Sequence, residues 1–174
     1  MSLLARDVME RDVGIIDAGA SLVELERAFD EAGVSGFPVV EGGSVVGVVS
    51  RTDVMHHLGA KPGKEPRLSS FYADLQSFDE HAGESFADAA VRGGKAMEQL
   101  RVSDLMTPSA VTVAPDAPLL EVARALTEHQ IHRVLVTDGS ILVGVVSSLD
   151  IVRLVAQERL GPIQVRPLGV PREE

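Results

Sequence analysis

Two spacings of apolar residues alternate along this chain. Val13 to Ile16 is a short β-branched run, and Leu22, Leu25, Ala28 and Phe29 then fall three to four residues apart, the spacing of one helix face. Ser21-Leu22-Val23-Glu24 has the form of a capping box, which predicts a helix from that point to about Ala32. Phe37 to Val40 and Val45 to Val49 are strand-length apolar runs joined by Gly42-Gly43, a hairpin signal. A second helix starts within Ser50 to Leu58. The predicted order is strand, helix, strand, strand, helix.

That order is repeated: Val111 to Val113, a helix from near Pro118 to His129, Val134 to Thr137, a turn at Asp138-Gly139, Leu142 to Val146, and a helix from Ser147. Residues 5–58 align with 102–155 at a constant offset of 97 without a gap, with 16 identities in 54 pairs, among them Asp7/Asp104, Met9/Met106, Gly47/Gly144, Ser50/Ser147 and Asp53/Asp150. A gapless match of this length marks a duplicated unit. Pro118 stands where Ser21 stands and exchanges a capping side chain for a preset φ in the first helical turn.

Either copy alone buries little. The fold class expected is therefore α/β (α+β): tandem repeats whose two small sheets, each with helices on one side, pack together with pseudo-twofold symmetry. The divisions read from the sequence are 1–58, the first repeat; 59–101, an insert; 102–158, the second repeat; and 159–174, a tail. In the insert, Phe71, Leu75 and Phe78 at helical spacing predict one amphipathic helix, either a packed connector or a lid over a ligand or partner.

Composition narrows the functional classes. A net charge of -10 with no Lys/Arg run argues against nucleic acid as a partner. No apolar run reaches the roughly 18 residues of a membrane span, and the first residues lack a signal-peptide pattern, so the expectation is a cytoplasmic protein with no membrane partner. The chain has no cysteine, which excludes disulfides, thiolate metal sites and cysteine nucleophiles. His56-His57 point in different directions on a helix, and His81 and His129 have no partners at ligand spacing, so no metal site is expected. Neither Ser50 nor Ser147 lies in a G-x-S-x-G elbow, and no catalytic residue is assigned.

Candidate binding chemistry gathers at the two strand-to-helix turns, Ser50-Arg51-Thr52-Asp53 and Ser147-Ser148-Leu149-Asp150. Each has the S-x-x-D form of a capping box. Each also leaves N–H groups at a helix start, where a phosphate binds well. Both readings stand at the level of sequence. Arg51 offers a forked guanidinium where Ser148 offers a hydroxyl, and His132-Arg133 would add charge where the first copy has Ser35-Gly36. Two clefts built this way are expected to be unequal.

Arg6-Asp7-Val8-Met9 and Ser103-Asp104-Leu105-Met106, followed by Gly47 to Asp53 and Gly144 to Asp150, resemble the CBS motif named after cystathionine β-synthase. The tandem resembles the paired arrangement called a Bateman module, over both repeats but not the insert or tail. His132-Arg133-Val134-Leu135-Val136 is also similar to nucleotide-binding repeats in the γ subunit of AMP-activated protein kinase, a pattern from which Ser35-Gly36 departs.

The resemblance implies a non-catalytic regulator, an energy or ligand sensor that holds an adenine nucleotide (AMP, ADP or ATP) between its halves and needs no catalytic cofactor. It implies Asp53 and Asp150 as ribose readers and Ser50 and Ser147 toward the phosphate. Arg51, Thr52, Ser148, His132 and Arg133 stand nearby, and the backbone at Ile15 and Thr112 reads the adenine edge. It also implies a disc-shaped homodimer, consistent with the apolar positions Val54, Met55, Leu58, Ile151, Val152, Leu154 and Val155, and a protein partner of unknown identity. The alternative is a dimerisation or partner-interaction module with empty clefts.

Overall fold

Gly42 and Gly43 both take positive φ, +56° and +87°, the backbone a two-residue hairpin turn requires. They fold β2 (Gly36–Glu41) back on β3 (Ser44–Ser50). The computed structural model describes residues 3–59, 70–72 and 99–157. In the first repeat β1 (Ile16–Asp17) pairs in parallel with β2, and α2 (Leu22–Ala32) and α3 (Arg51–Gly59) complete the unit. The second repeat places β5 (Thr112–Val113) parallel to β6 (Arg133–Asp138), and β6 antiparallel to β7 (Ile141–Ser147), with α5 (Leu119–Glu128) and α6 (Ser148–Ala156). The duplicated strand, helix, strand, strand, helix order is thus observed in both copies.

The first strand of each copy is shorter than its β-branched run. Val13 and Ile15 lie outside β1, and Val111 lies outside β5. Of the helix expected from Phe71, Leu75 and Phe78, Phe71 falls among the described residues, in a 3-10 turn at Ser70–Tyr72, and Leu75 and Phe78 lie outside them.

Two four-residue helices were not apparent from periodicity, α1 (Ala5–Val8) and α4 (Val102–Leu105). Asp7 and Asp104 explain their recurrence, because each carboxylate accepts the N–H of the residue before its helix, Leu4 at 2.9 Å and Arg101 at 2.8 Å.

These helices dock on the opposite repeat. Ala5 and Arg6 N–H donate to the carbonyls of Ala117 and Pro115, and Val102 and Ser103 N–H donate to Ala20 and Ala18, all at 2.9 Å. The segments that follow are exchanged too. β4 (Thr107–Pro108) pairs with β3, and Glu10 bridges Val145 of β7 through two 2.9 Å hydrogen bonds. Accordingly Val102 and Leu105 are buried with Leu22, Leu25 and Phe29 of the first repeat, and Ala5 with Val122, Leu126 and Leu135 of the second. Neither core closes without a contribution from the other copy.

Candidate functional site

Both strand-to-helix turns form the predicted capping boxes. Ser50 N–H and Oγ–H donate to Asp53 Oδ2 at 2.8 and 2.7 Å, and Asp53 N–H donates to Ser50 Oγ at 3.2 Å. At Ser147 and Asp150 the same three distances are 2.8, 2.6 and 3.2 Å. Asp150 Oδ1 also accepts from Arg153 Nη1 at 3.0 Å. The cap leaves the aspartates half-buried, with Thr52 and Leu149 exposed beside them and Ser148 partly covered.

Of the remaining candidates, His132 adjoins the second turn, its carbonyl accepting the Ser148 N–H at 2.8 Å. The Arg51 guanidinium meets Asp30 Oδ1 at 2.7 Å and lies 4.9 Å from the Phe29 ring centroid, so it leans on α2. Ile15, Thr112 and His132 are exposed. Arg133 is half-buried, with its guanidinium 5.3 Å from the Phe71 ring centroid.

A cleft of about 260 Å³ opens between the repeats. Its first-repeat wall includes Val13, Gly14, Val34 and Phe37, and its second-repeat wall Arg133 and Val145. Arg133 is the sequence candidate that lines it. The strand register sets Arg133 opposite Ser147 and Gly36 opposite Ser50, so both turns stand one rung from residues of the cleft, whose charged lining is Arg133 with Glu10 and Asp12.

Phe71, expected in a packed connector or a lid, packs into the core together with Tyr72, which helical spacing does not single out. Phe71 and Tyr72 are 2% and 3% exposed and pack edge to face with centroids 5.1 Å apart. Tyr72 Oη accepts the Val111 N–H at 2.7 Å, and the Tyr72 carbonyl accepts the His132 N–H at 2.7 Å. Phe71 lies against Gly36, where a Cβ would come within 2.8 Å of its ring and 2.9 Å of the Val49 carbonyl. One sequence signal was available: Tyr72 is the single tyrosine, next to a phenylalanine, in a chain without tryptophan.

Burial pushes the Tyr72 phenol above its ordinary value, against the opposing effect of the Val111 N–H. A raised folded value means stability that is complete below about pH 10, the unfolded value, and is lost as pH rises through the folded one. Absorbance at 295 nm reads this residue alone. Phenolate is expected at higher pH in the native chain than in urea. Coincident curves would show that the ring is exposed in solution.

The CBS domain pattern matches residues 5–60 and 102–157. Inosine-5'-monophosphate dehydrogenase of Korarchaeum cryptofilum is 25% identical over 148 residues, 84% of this chain but 23% of that protein, so the chain spans about a quarter of that relative. The CBS-pair protein CBSX2 of Arabidopsis thaliana superposes with a TM-score of 0.65 at 23% identity, covering 93% of this chain and 100% of that one. CBSX2 in complex with AMP gives 0.61 at 22%, covering 90% and 98%. The CBS domain pair of MJ0100, in complex with 5'-methylthioadenosine and S-adenosylmethionine, gives 0.57 at 20%, covering 91% and 99%. Two matched repeats that span well over half of the chain and assemble into the fold of a CBS pair place it in the CBS domain family.

Proposed function

We propose that this chain is a non-catalytic regulatory module that binds an adenosine-containing nucleotide, of the AMP, ADP or ATP class, between its two repeats. The shared cleft carries this reading. Its floor offers apolar area from Val13, Val34 and Phe37 to a planar base, and its far wall offers Arg133 to an anion, so one ligand would touch both halves. A ligand that bridges two halves shifts their relative packing by the difference in its affinity for the two arrangements, which is what a sensor requires.

Family members with bound AMP, or with 5'-methylthioadenosine and S-adenosylmethionine, support the chemical class. Beside Arg133, the ribose-reading role falls to Asp150 and the phosphate-side role to Ser147, with Ser148 next in the chain. Asp53, Ser50, Thr52 and Arg51 would play those parts in a second cleft, with Ile15 and Thr112 at the adenine edges.

A thermal-shift panel of AMP, ADP, ATP, NAD and S-adenosylmethionine tests the reading. A ligand at 100 times its Kd adds about 2.7 kcal/mol, roughly 5–10 °C for a chain of this size. No shift with any of the five would leave the interaction-module reading.

The same reading includes a homodimer. Val54 and Leu154, counted toward that surface from the sequence, are buried within the chain. Leu149, Val152 and Val155 remain 54%, 59% and 47% exposed along α6, an apolar strip that a second copy would cover. Sedimentation equilibrium is expected to show a species of twice 18.5 kDa at tens of micromolar, and Val152→Glu to halve it. An 18.5 kDa species alone would refute the dimer. No helix among the described residues is long and apolar enough to cross a membrane.

A further inference from the structure

The aromatic pair of the insert and the departure at Ser35-Gly36 account for each other. The 97-residue offset maps Gly36 onto Arg133 and Gly14 onto Val111. Phe71 sits between the first pair, with its ring against Gly36 on one side and under the Arg133 guanidinium on the other. An arginine at position 36 would have no room. Tyr72 lies beyond, bonded to Val111 and His132 of the second repeat, while its turn packs against β2, β3 and α3 of the first. On the other side of the pseudo-twofold axis the corresponding space, at Gly14 and Val34, is the open cleft.

We infer that Tyr72 is a resident occupant of the cleft beside the second repeat's first strand, filling the space whose counterpart beside the first repeat's first strand is open, so that each chain accepts one nucleotide and not two. The inference rests on the nucleotide reading above. Its physical basis is the state of the groups a ligand would need. The Val111 N–H, one residue before Thr112 and therefore at the adenine edge of that cleft, already donates to the phenol oxygen. The His132 N–H already donates to the Tyr72 carbonyl. An entering base would have to expel a nearly fully buried aromatic ring and re-pair both donors. The inequality of the two clefts then originates in the insert, which supplies the chain's own planar, hydrogen-bonding group to one of them.

Titration calorimetry with AMP and with ATP, on wild type, Tyr72→Ala and Tyr72→Phe, tests this. The expected stoichiometry is one per chain for wild type and for Tyr72→Phe, which keeps the ring, and two for Tyr72→Ala. Tyrosine emission provides a second measurement on wild type should Tyr72→Ala not fold, because it reports Tyr72 alone. Saturating nucleotide is expected to leave its quenching by acrylamide unchanged. Two nucleotides bound to wild type, one bound to folded Tyr72→Ala, or Tyr72 exposed at saturation would each overturn the occupant while leaving the nucleotide reading in place. No binding by any of the three proteins would overturn the nucleotide reading and this inference with it.

Discussion

Asp150→Asn is expected to weaken AMP and ATP binding roughly 10- to 100-fold while the chain stays folded. The carboxylate holds two kinds of partner at once. Oδ2 takes the Ser147 N–H and Oγ–H, and Oδ1 takes Arg153, whose guanidinium is well exposed and easily exchanged for another donor. An amide oxygen can still accept from the Ser147 N–H, so the cost in stability is a fraction of the roughly 0.5 to 2 kcal/mol a helix cap is worth. It cannot give two adjacent ribose hydroxyls charge-assisted bonds, and a loss of about 1.5 to 3 kcal/mol in all sets the size of the expected effect. In Tyr72→Ala, Asp53→Asn is expected to do the same to the second site. Calorimetry with chemical denaturation decides the matter. An unchanged isotherm in folded Asp150→Asn would return this aspartate to capping alone.

Gly144→Ala and Gly47→Ala are expected to destabilise the chain by about 1 to 3 kcal/mol each, the usual cost of overpacking. These glycines sit where the exchanged segments cross the sheets. A Cβ on Gly144 would come within 2.6 Å of Met9 Sδ and 2.8 Å of the Glu10 carbonyl, and one on Gly47 within 2.5 Å of the Thr107 carbonyl and 3.1 Å of Met106 Sδ. The methionines can move. The carbonyls are less free, because Glu10 is held by its two bonds to Val145 and Thr107 by its pairing with Val48. Yielding at either place loosens a segment that seals the other repeat's core. A double-mutant cycle of Gly144→Ala with Met9→Ala isolates the side-chain share, expected as a coupling above about 0.5 kcal/mol. Additive effects together with wild-type stability of Gly144→Ala would show that the crossing is loose.

The duplication also explains why Asp7 and Asp104, Met9 and Met106, and Gly47 and Gly144 recur as identical pairs. Each pair meets a tertiary requirement twice: a carboxylate to start the exchanged helix, a methionine to follow it, and a bare backbone for the methionine to lie on. A resemblance built on such residues identifies the fold more directly than it identifies the ligand.

What the sequence determined by itself is local. The three-to-four spacing of Leu22, Leu25 and Phe29, the Ser21 and Ser147 caps and the Gly42-Gly43 turn act through neighbours a few residues away, so both copies' order of elements could be read from spacing alone. The gapless offset extended that reading to a paired architecture. Tertiary structure decided whatever joins distant residues. α1 and α4 are too short to show a period, and they exist because the opposite repeat takes their N–H groups and apolar side chains. The Arg51 guanidinium, a sequence candidate for a phosphate, meets Asp30, twenty-one residues earlier, and the Phe29 ring, contacts with α2 that spacing does not announce. Tyr72, in an insert read for helical spacing, became central because Gly36 leaves room for Phe71 and because the Val111 N–H meets its phenol oxygen and the His132 N–H its carbonyl. Spacing along a chain encodes which face of an element is apolar. Which distant backbone donor a side chain will meet is set only once both repeats have packed.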